Sequence, residues 1–217
     1  MPEPASLLTR SRDVVARARA LKALSRVAIE WSQSACGTVR PGSGVPAPLG
    51  FEGIAVLRRF HEIRAQRLPR GRLRALLSAV LDAGIDATGA DFGNVQLVNP
   101  STGALEIAAQ RGFGPDFLAF FREVREAGSA CGVAMRSRRC AVVDDVRTHP
   151  TFAGSRAREI VLDAGVLAVQ STPLIAPSGE LMGVISTHFR VPGRVPAPRL
   201  HLVALIARQA AAALSTK

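Results

Sequence analysis

The period of hydrophobic and polar positions changes several times along the chain, and each change marks an element. Leu73, Leu76, Leu77, Val80, Leu81 and Ile85 recur at three- and four-residue spacing, which predicts an amphipathic helix over 72–88 stopped by Gly89. The period then falls to two. Residues 92–98 and 104–111 read as strands joined by the turn-forming run Asn99-Pro100-Ser101-Thr102-Gly103. Gly112, Gly114 and Pro115 break that pattern, and a short helix carrying Phe117, Phe120 and Phe121 is expected over 116–126. A second opens in the segment GSACG and runs to about Arg136; residues 140–143 form a brief apolar strand ending at Asp144-Asp145, and 155–164 a further helix. The strongest hairpin signal follows, with apolar runs over 166–175 and 180–189 flanking the loop Ala176-Pro177-Ser178-Gly179. After Pro196 and Pro198, Leu200, Val203, Ile206, Ala207, Ala210 and Leu214 predict a long helix over 199–214.

Long helices at both ends around paired strands predict an α/β fold of the α+β type, a central antiparallel sheet with both long helices on one face and loops with short helices on the other. Packing two apolar helices on a sheet requires that face to be apolar, and Val95, Leu97, Ile185 and Phe189 supply it. Strand alternation then sends Asn94, Gln96, Ser186 and His188 to the opposite side. These four are the candidate ligand-binding residues. Gln170 joins them as a fifth candidate, although alternation alone leaves its side open. Amides, a hydroxyl and an imidazole offer donors and acceptors without fixed charge, which suits a small polar, roughly neutral ligand. The alternative is that the same groups only hydrogen-bond the covering loops over 113–152.

The first 70 residues differ in character and are expected to form a basic extension and linker ahead of a compact domain over 71–217. An amphipathic helical pattern over 13–31 sets Val14, Leu21, Leu24 and Trp31 against Arg12, Arg19, Lys22 and Arg26. A Gly- and Pro-rich linker over 34–50 and a second helical pattern over 51–66 follow. A leader of this kind permits contact with nucleic acid or an acidic membrane surface, one reading to set against the others.

The chain has 217 residues, 47% of them hydrophobic, ample for one core. Its formal charge of +11 is heaviest in the first third, and of 28 basic residues only Lys22 and Lys217 are lysine. That arginine skew, beside abundant Ala, Gly and Pro, reads as compositional bias, so the charge by itself does not argue for nucleic acid. Cys36, Cys131 and Cys140 are odd in number and irregular in spacing, so no disulfide framework can be read from them and a reducing compartment is the simpler expectation. With neither a secretory signal nor a run of about 18 apolar residues, the chain is expected to be cytoplasmic.

Three segments in order, DFGNVQLVNPSTGALEIAAQRGF, GSACGVAMRSRRCAVVDDV and AVQSTPLIAPSGELMGVISTHF, resemble the GAF domain of bacterial sensor and two-component proteins, over about residues 72–214. The resemblance implies a PAS-like fold, a dimerising helical face and a ligand pocket under the variable loops. It leaves the ligand and any cofactor open, since family members bind cyclic nucleotides, bilins, haem or small metabolites. Nothing matches the NKFDE-like constellation of the cyclic-nucleotide class. Bilin binding is disfavoured because Tyr is absent and Cys131 and Cys140 are followed by Gly and Ala. The chain ends soon after the last predicted helix, so signalling is expected through a separate output partner such as a histidine kinase.

Enzyme chemistry finds little purchase. Ala-Cys-Gly around Cys131 is similar to a segment of the free methionine-(R)-sulfoxide reductases, a GAF subfamily with a cysteine nucleophile. The loop where that subfamily carries its catalytic cysteine reads HPTFAGS here, without one. A metal site from Cys131, Cys140, His149 and His188 lacks close ligand spacing, His61 and His201 read as surface residues, and Asp144-Asp145 as a turn or helix cap. No catalytic residue and no metal ligand is assigned. A non-catalytic small-molecule sensor leads, with a thiol redox enzyme and a basic-leader binder as alternatives.

Overall fold

Residues 71–215 are described in a computed structural model of the chain. The patterns over 13–31, 34–50 and 51–66 lie outside them.

Helix α1 (Arg72–Thr88) ends where Gly89 takes up φ 70°, a left-handed conformation that glycine adopts without penalty, and donates its N–H to the Ile85 carbonyl at 2.8 Å. Its buried stripe begins at Leu76; Leu73, in the first turn, is 51% exposed. Strands β1 (Phe92–Val98) and β2 (Leu105–Arg111) form the expected hairpin, with a bulge that places Ala108 opposite no residue of β1. Helix α2 (Pro115–Phe120) is shorter than expected, because the chain turns at Phe121 into a two-residue strand, β3 (Glu123–Val124), that pairs with Leu105 and Glu106. Helix α3 (Ala130–Ser137), strand β4 (Ala141–Val143), a 3-10 turn (Pro150–Phe152) and helix α4 (Arg156–Asp163) follow. Strands β5 (Ala168–Ile175) and β6 (Leu181–Phe189) and helix α5 (Ala197–Ser215) complete the domain.

The six strands lie in the order β3-β2-β1-β6-β5-β4 and every neighbouring pair is antiparallel. The middle pair is therefore β1 and β6, and the β5–β6 hairpin runs from the centre toward the edge strand β4. Pro173 fits inside β5 because β4 pairs only with Val169, Gln170 and Ser171, leaving Pro173 beyond the end of β4 where no donor is required.

Two apolar clusters flank the sheet. On one face Leu77, Val80 and Leu81 of α1 and Val203, Ile206 and Ala207 of α5 pack on Val95, Leu174 and Ile185. Each fully buried Leu or Ile here contributes about 1.5–3 kcal/mol by removal from water. Gly84 allows α1 to approach β6, since a Cβ at that position would lie 2.6 Å from Ile185 Cδ1. On the other face Phe113, Phe117 and Phe152 of the loops and short helices cover Phe92, Leu105 and Val184. This is the layering expected from the sequence, with β3 as an added edge strand. Among the described residues no helix is long and apolar enough to cross a membrane.

The Cys140 sulfur, just before β4, lies 3.7 Å from Thr172 Oγ1.

Candidate ligand-binding site

Alternation along β1 and β6 sets the site. Asn94 stands in register with Ser186, and Phe92 with His188, so these side chains share the face away from α1 and α5. Asn94, Ser186 and His188 line a small cavity there, and β5 adds Ser171, whose hydroxyl is 2.7 Å from that of Ser186. The start of α3 forms one wall. Ser129 caps that helix by accepting from the Gly132 N–H at 3.3 Å, and its Oγ lies 3.2 Å from Cys131 Sγ. Gly132 lets the turn pack against the preceding loop, because a Cβ there would run into the Glu126 carbonyl oxygen. Phe117, Phe121 and Phe152 complete the lining. The space left for solvent centres is about 10 Å³, roughly what one water needs.

Polar groups in this region are incompletely matched. Gln96 donates from Nε2 to the Phe121 carbonyl at 3.3 Å, which ties the sheet to the end of α2. Gln96 Oε1, Asn94 Oδ1 and His188 Nδ1 are buried without a hydrogen-bond partner. A buried orphan of this kind costs about 1–3 kcal/mol. The three side chains sit on one face of the adjacent strands β1 and β6.

Charge is excluded from the cavity. Burial pushes the His188 pKa from 6.5 down to about 3, so the imidazole is neutral at physiological pH. The ring stands edge-on to Phe113 and Phe117, with centroids 4.9 and 5.9 Å away. Burial likewise raises the Cys131 thiol, outweighing the hydrogen bonds of Ser129 and the Gly132 amide that favour thiolate. A protonated, buried thiol is a poor nucleophile.

Gln170 stands on the other face. It is in register with Thr187, which faces α1 beside Ile185, and it is consumed in a buried network there. Its Nε2 donates to Thr172 Oγ1 at 2.7 Å, and its Oε1 accepts from the Thr187 hydroxyl at 3.3 Å. Gln170 therefore does not line the cavity, in contrast to its inclusion among the candidates. Ser171, one residue on, takes the place assigned to it. Ser129 and Cys131 were also missed as lining residues, although a Ser followed by the small residues of GSACG is a readable helix cap.

The remaining candidates have structural employment. Asp145 closes a turn by accepting from the Arg147 N–H at 2.9 Å, and hydrogen bonds from Arg147 hold its carboxyl down to about 2. His149 caps the 3-10 turn, Nδ1 accepting from the Thr151 N–H at 3.2 Å, and His201 is half-buried rather than a plain surface residue. Among the described residues no three His, Cys, Asp or Glu side chains gather as a metal site. A more open hollow of about 490 Å³ lies between α1 and β2, where Arg111 already pairs with Asp82 at 3.2 Å and donates to Ser78 Oγ at 2.7 Å.

Comparison with solved structures places this architecture. A domain of a protein described as a two-component sensor histidine kinase from Sinorhizobium meliloti matches with a TM-score of 0.54 and 21% identity, covering 64% of this chain and 88% of that one. The GAF domain of an Acinetobacter phosphoenolpyruvate-protein phosphotransferase matches with a TM-score of 0.60 and 13% identity, over 77% of this chain and 94% of that one. Free methionine-R-sulfoxide reductase from Neisseria meningitidis, solved with its substrate, matches with a TM-score of 0.55 and 15% identity, over 79% of this chain and 95% of that one. At these identities the likeness is one of fold. No curated protein matches the chain. The family model for the GAF domain matches residues 72–215, and the chain belongs to the GAF domain family.

Proposed function

We propose that the chain is a small-molecule-sensing or regulatory domain of signal transduction, non-catalytic, acting as a homodimer on a separate output partner such as a histidine kinase. The observation that carries this reading is the pair of buried, unpartnered groups, Asn94 Oδ1 and His188 Nδ1, facing one small cavity beneath the short helices. A polar pair retained at that cost, with no structural partner, is what a binding site requires before it is filled. The sensor-kinase domain among the structural neighbours supports an output partner of that class. Native mass spectrometry of the full chain purified from its own host tests the reading. A small molecule retained by the wild type and absent from both Asn94→Leu and His188→Leu supports it; a bare wild-type mass would count against it.

A second reading, a thiol redox enzyme, is favoured by one observation, that Cys131 lines the same cavity in a fold shared with free methionine-R-sulfoxide reductases. Against it, burial raises the Cys131 thiol and keeps it protonated. Turnover of free methionine-R-sulfoxide with thioredoxin, lost in Cys131→Ser, would establish the enzyme in place of the sensor.

A further inference from the structure

We propose, building on the reading of the cavity as a ligand site, that its occupant is a small neutral molecule presenting an amide-type edge, an N–H donor beside a C=O acceptor. Asn94 sets the first demand. The residue is 2% exposed, and its carbonyl Oδ1, which can only accept, has no donor. A 180° rotation of the carboxamide exchanges its oxygen and nitrogen, so a partner offering donor and acceptor together serves either orientation. A carboxamide, urea, lactam or imide does this.

His188 sets the second demand. A neutral imidazole has one N–H and one bare nitrogen, and Nδ1 is unpartnered whichever role it takes. Ser171 and Ser186 supply a third group. One hydroxyl donates to the other across 2.7 Å, which leaves the accepting hydroxyl with its own proton to give to an incoming carbonyl.

Charge decides against the other ligand classes. No Asp, Glu, Lys or Arg lines the cavity. A carboxylate or phosphate would meet the Asn94 carbonyl oxygen with no cation to offset its desolvation, and an ammonium would find acceptors but no carboxylate. A free amino acid brings both charges and both costs. The body of the ligand meets Phe117, Phe121 and Phe152, which suit a flat apolar group. The present space admits about one water, so a ring-sized molecule requires α2 to move outward and the Gln96 bond to Phe121 to open.

Three probes of one shape test the inference on the full chain: benzamide, benzoate and benzylamine, titrated at neutral pH while NMR follows the side-chain resonances of Asn94 and His188. Benzamide is expected to shift both residues with an affinity at least tenfold above the other two, and to lose at least tenfold in Asn94→Leu. In Asn94→Asp, where the carbonyl acceptor becomes an anion, preference should pass to benzylamine. If benzoate or benzylamine moves these resonances in the wild type as readily as benzamide, the amide class is wrong and the cavity reading stands. If none of the three moves them, the amide class and the cavity reading fall together.

Discussion

Replacing His188 by leucine isolates the energetic consequence of burying an imidazole in the cavity. The folded protein holds this group near pKa 3, and the unfolded chain returns it to 6.5. Below 6.5 the unfolded state therefore takes up a proton that the folded state refuses. Stability contributed by neutral His188 is intact above pH 6.5 and falls as pH drops toward 3, at about 1.4 kcal/mol per unit. Between pH 7.5 and 5.0 the loss from this residue amounts to about 2 kcal/mol, since only the 1.5 units below 6.5 count. His201 is shifted in the same direction by burial, but it is present in both proteins and cancels in the comparison. Urea denaturation of the full chain and of His188→Leu at the two pH values reads the difference directly. The variant should lose about 2 kcal/mol less than the wild type on acidification. Equal losses would mean that burial in the cavity does not hold His188 neutral.

The two faces also predict opposite responses to loss of an amide. Gln170→Leu strands the Thr172 and Thr187 hydroxyls and should destabilise by about 1–3 kcal/mol, whereas Asn94→Leu removes an orphan and should be neutral or stabilising in urea unfolding; the reverse order would exchange their faces. Gly132→Ala drives a methyl into the Glu126 carbonyl and should lower the unfolding temperature markedly, with a wild-type melting curve as the contrary result. Iodoacetamide at pH 7.5 should label Cys131 far more slowly in the folded chain than in urea, as read by peptide mass spectrometry, because the thiol is buried and protonated. Light scattering at micromolar concentration should report a homodimer; a strict monomer would remove that part of the proposal.

Much of the architecture was readable because local signals agreed. Gly89 closes a helix whose apolar positions keep a three-to-four spacing, and both hairpin loops combine Pro, Ser and Gly between alternating runs. Faces were legible in β1 and β6, where Val95 with Leu97 and Asn94 with Gln96 separate cleanly. They were not legible in β5, which is buried on both sides and carries polar residues on each. Only pairing with Thr187 on one side and Ser186 on the other assigns Gln170 and Ser171, and that register is a long-range property. Strand β3 escaped notice because two residues, Glu123 and Val124, are too few to show a period. The cavity wall around Ser129 and Cys131 was hidden for a similar reason: GSACG announces a helix start, while its position against β6 depends on the fold of the whole domain.

The most direct test of the central claim is a crystal structure, at a resolution that separates ligand from water, of the full chain carrying whatever it retains from its own host. Density is expected above β1 and β6 for a small neutral molecule that donates to Asn94 Oδ1 and contacts His188 Nδ1, with α2 displaced outward. A retained molecule bound elsewhere, over a closed cavity holding at most one water, would contradict it.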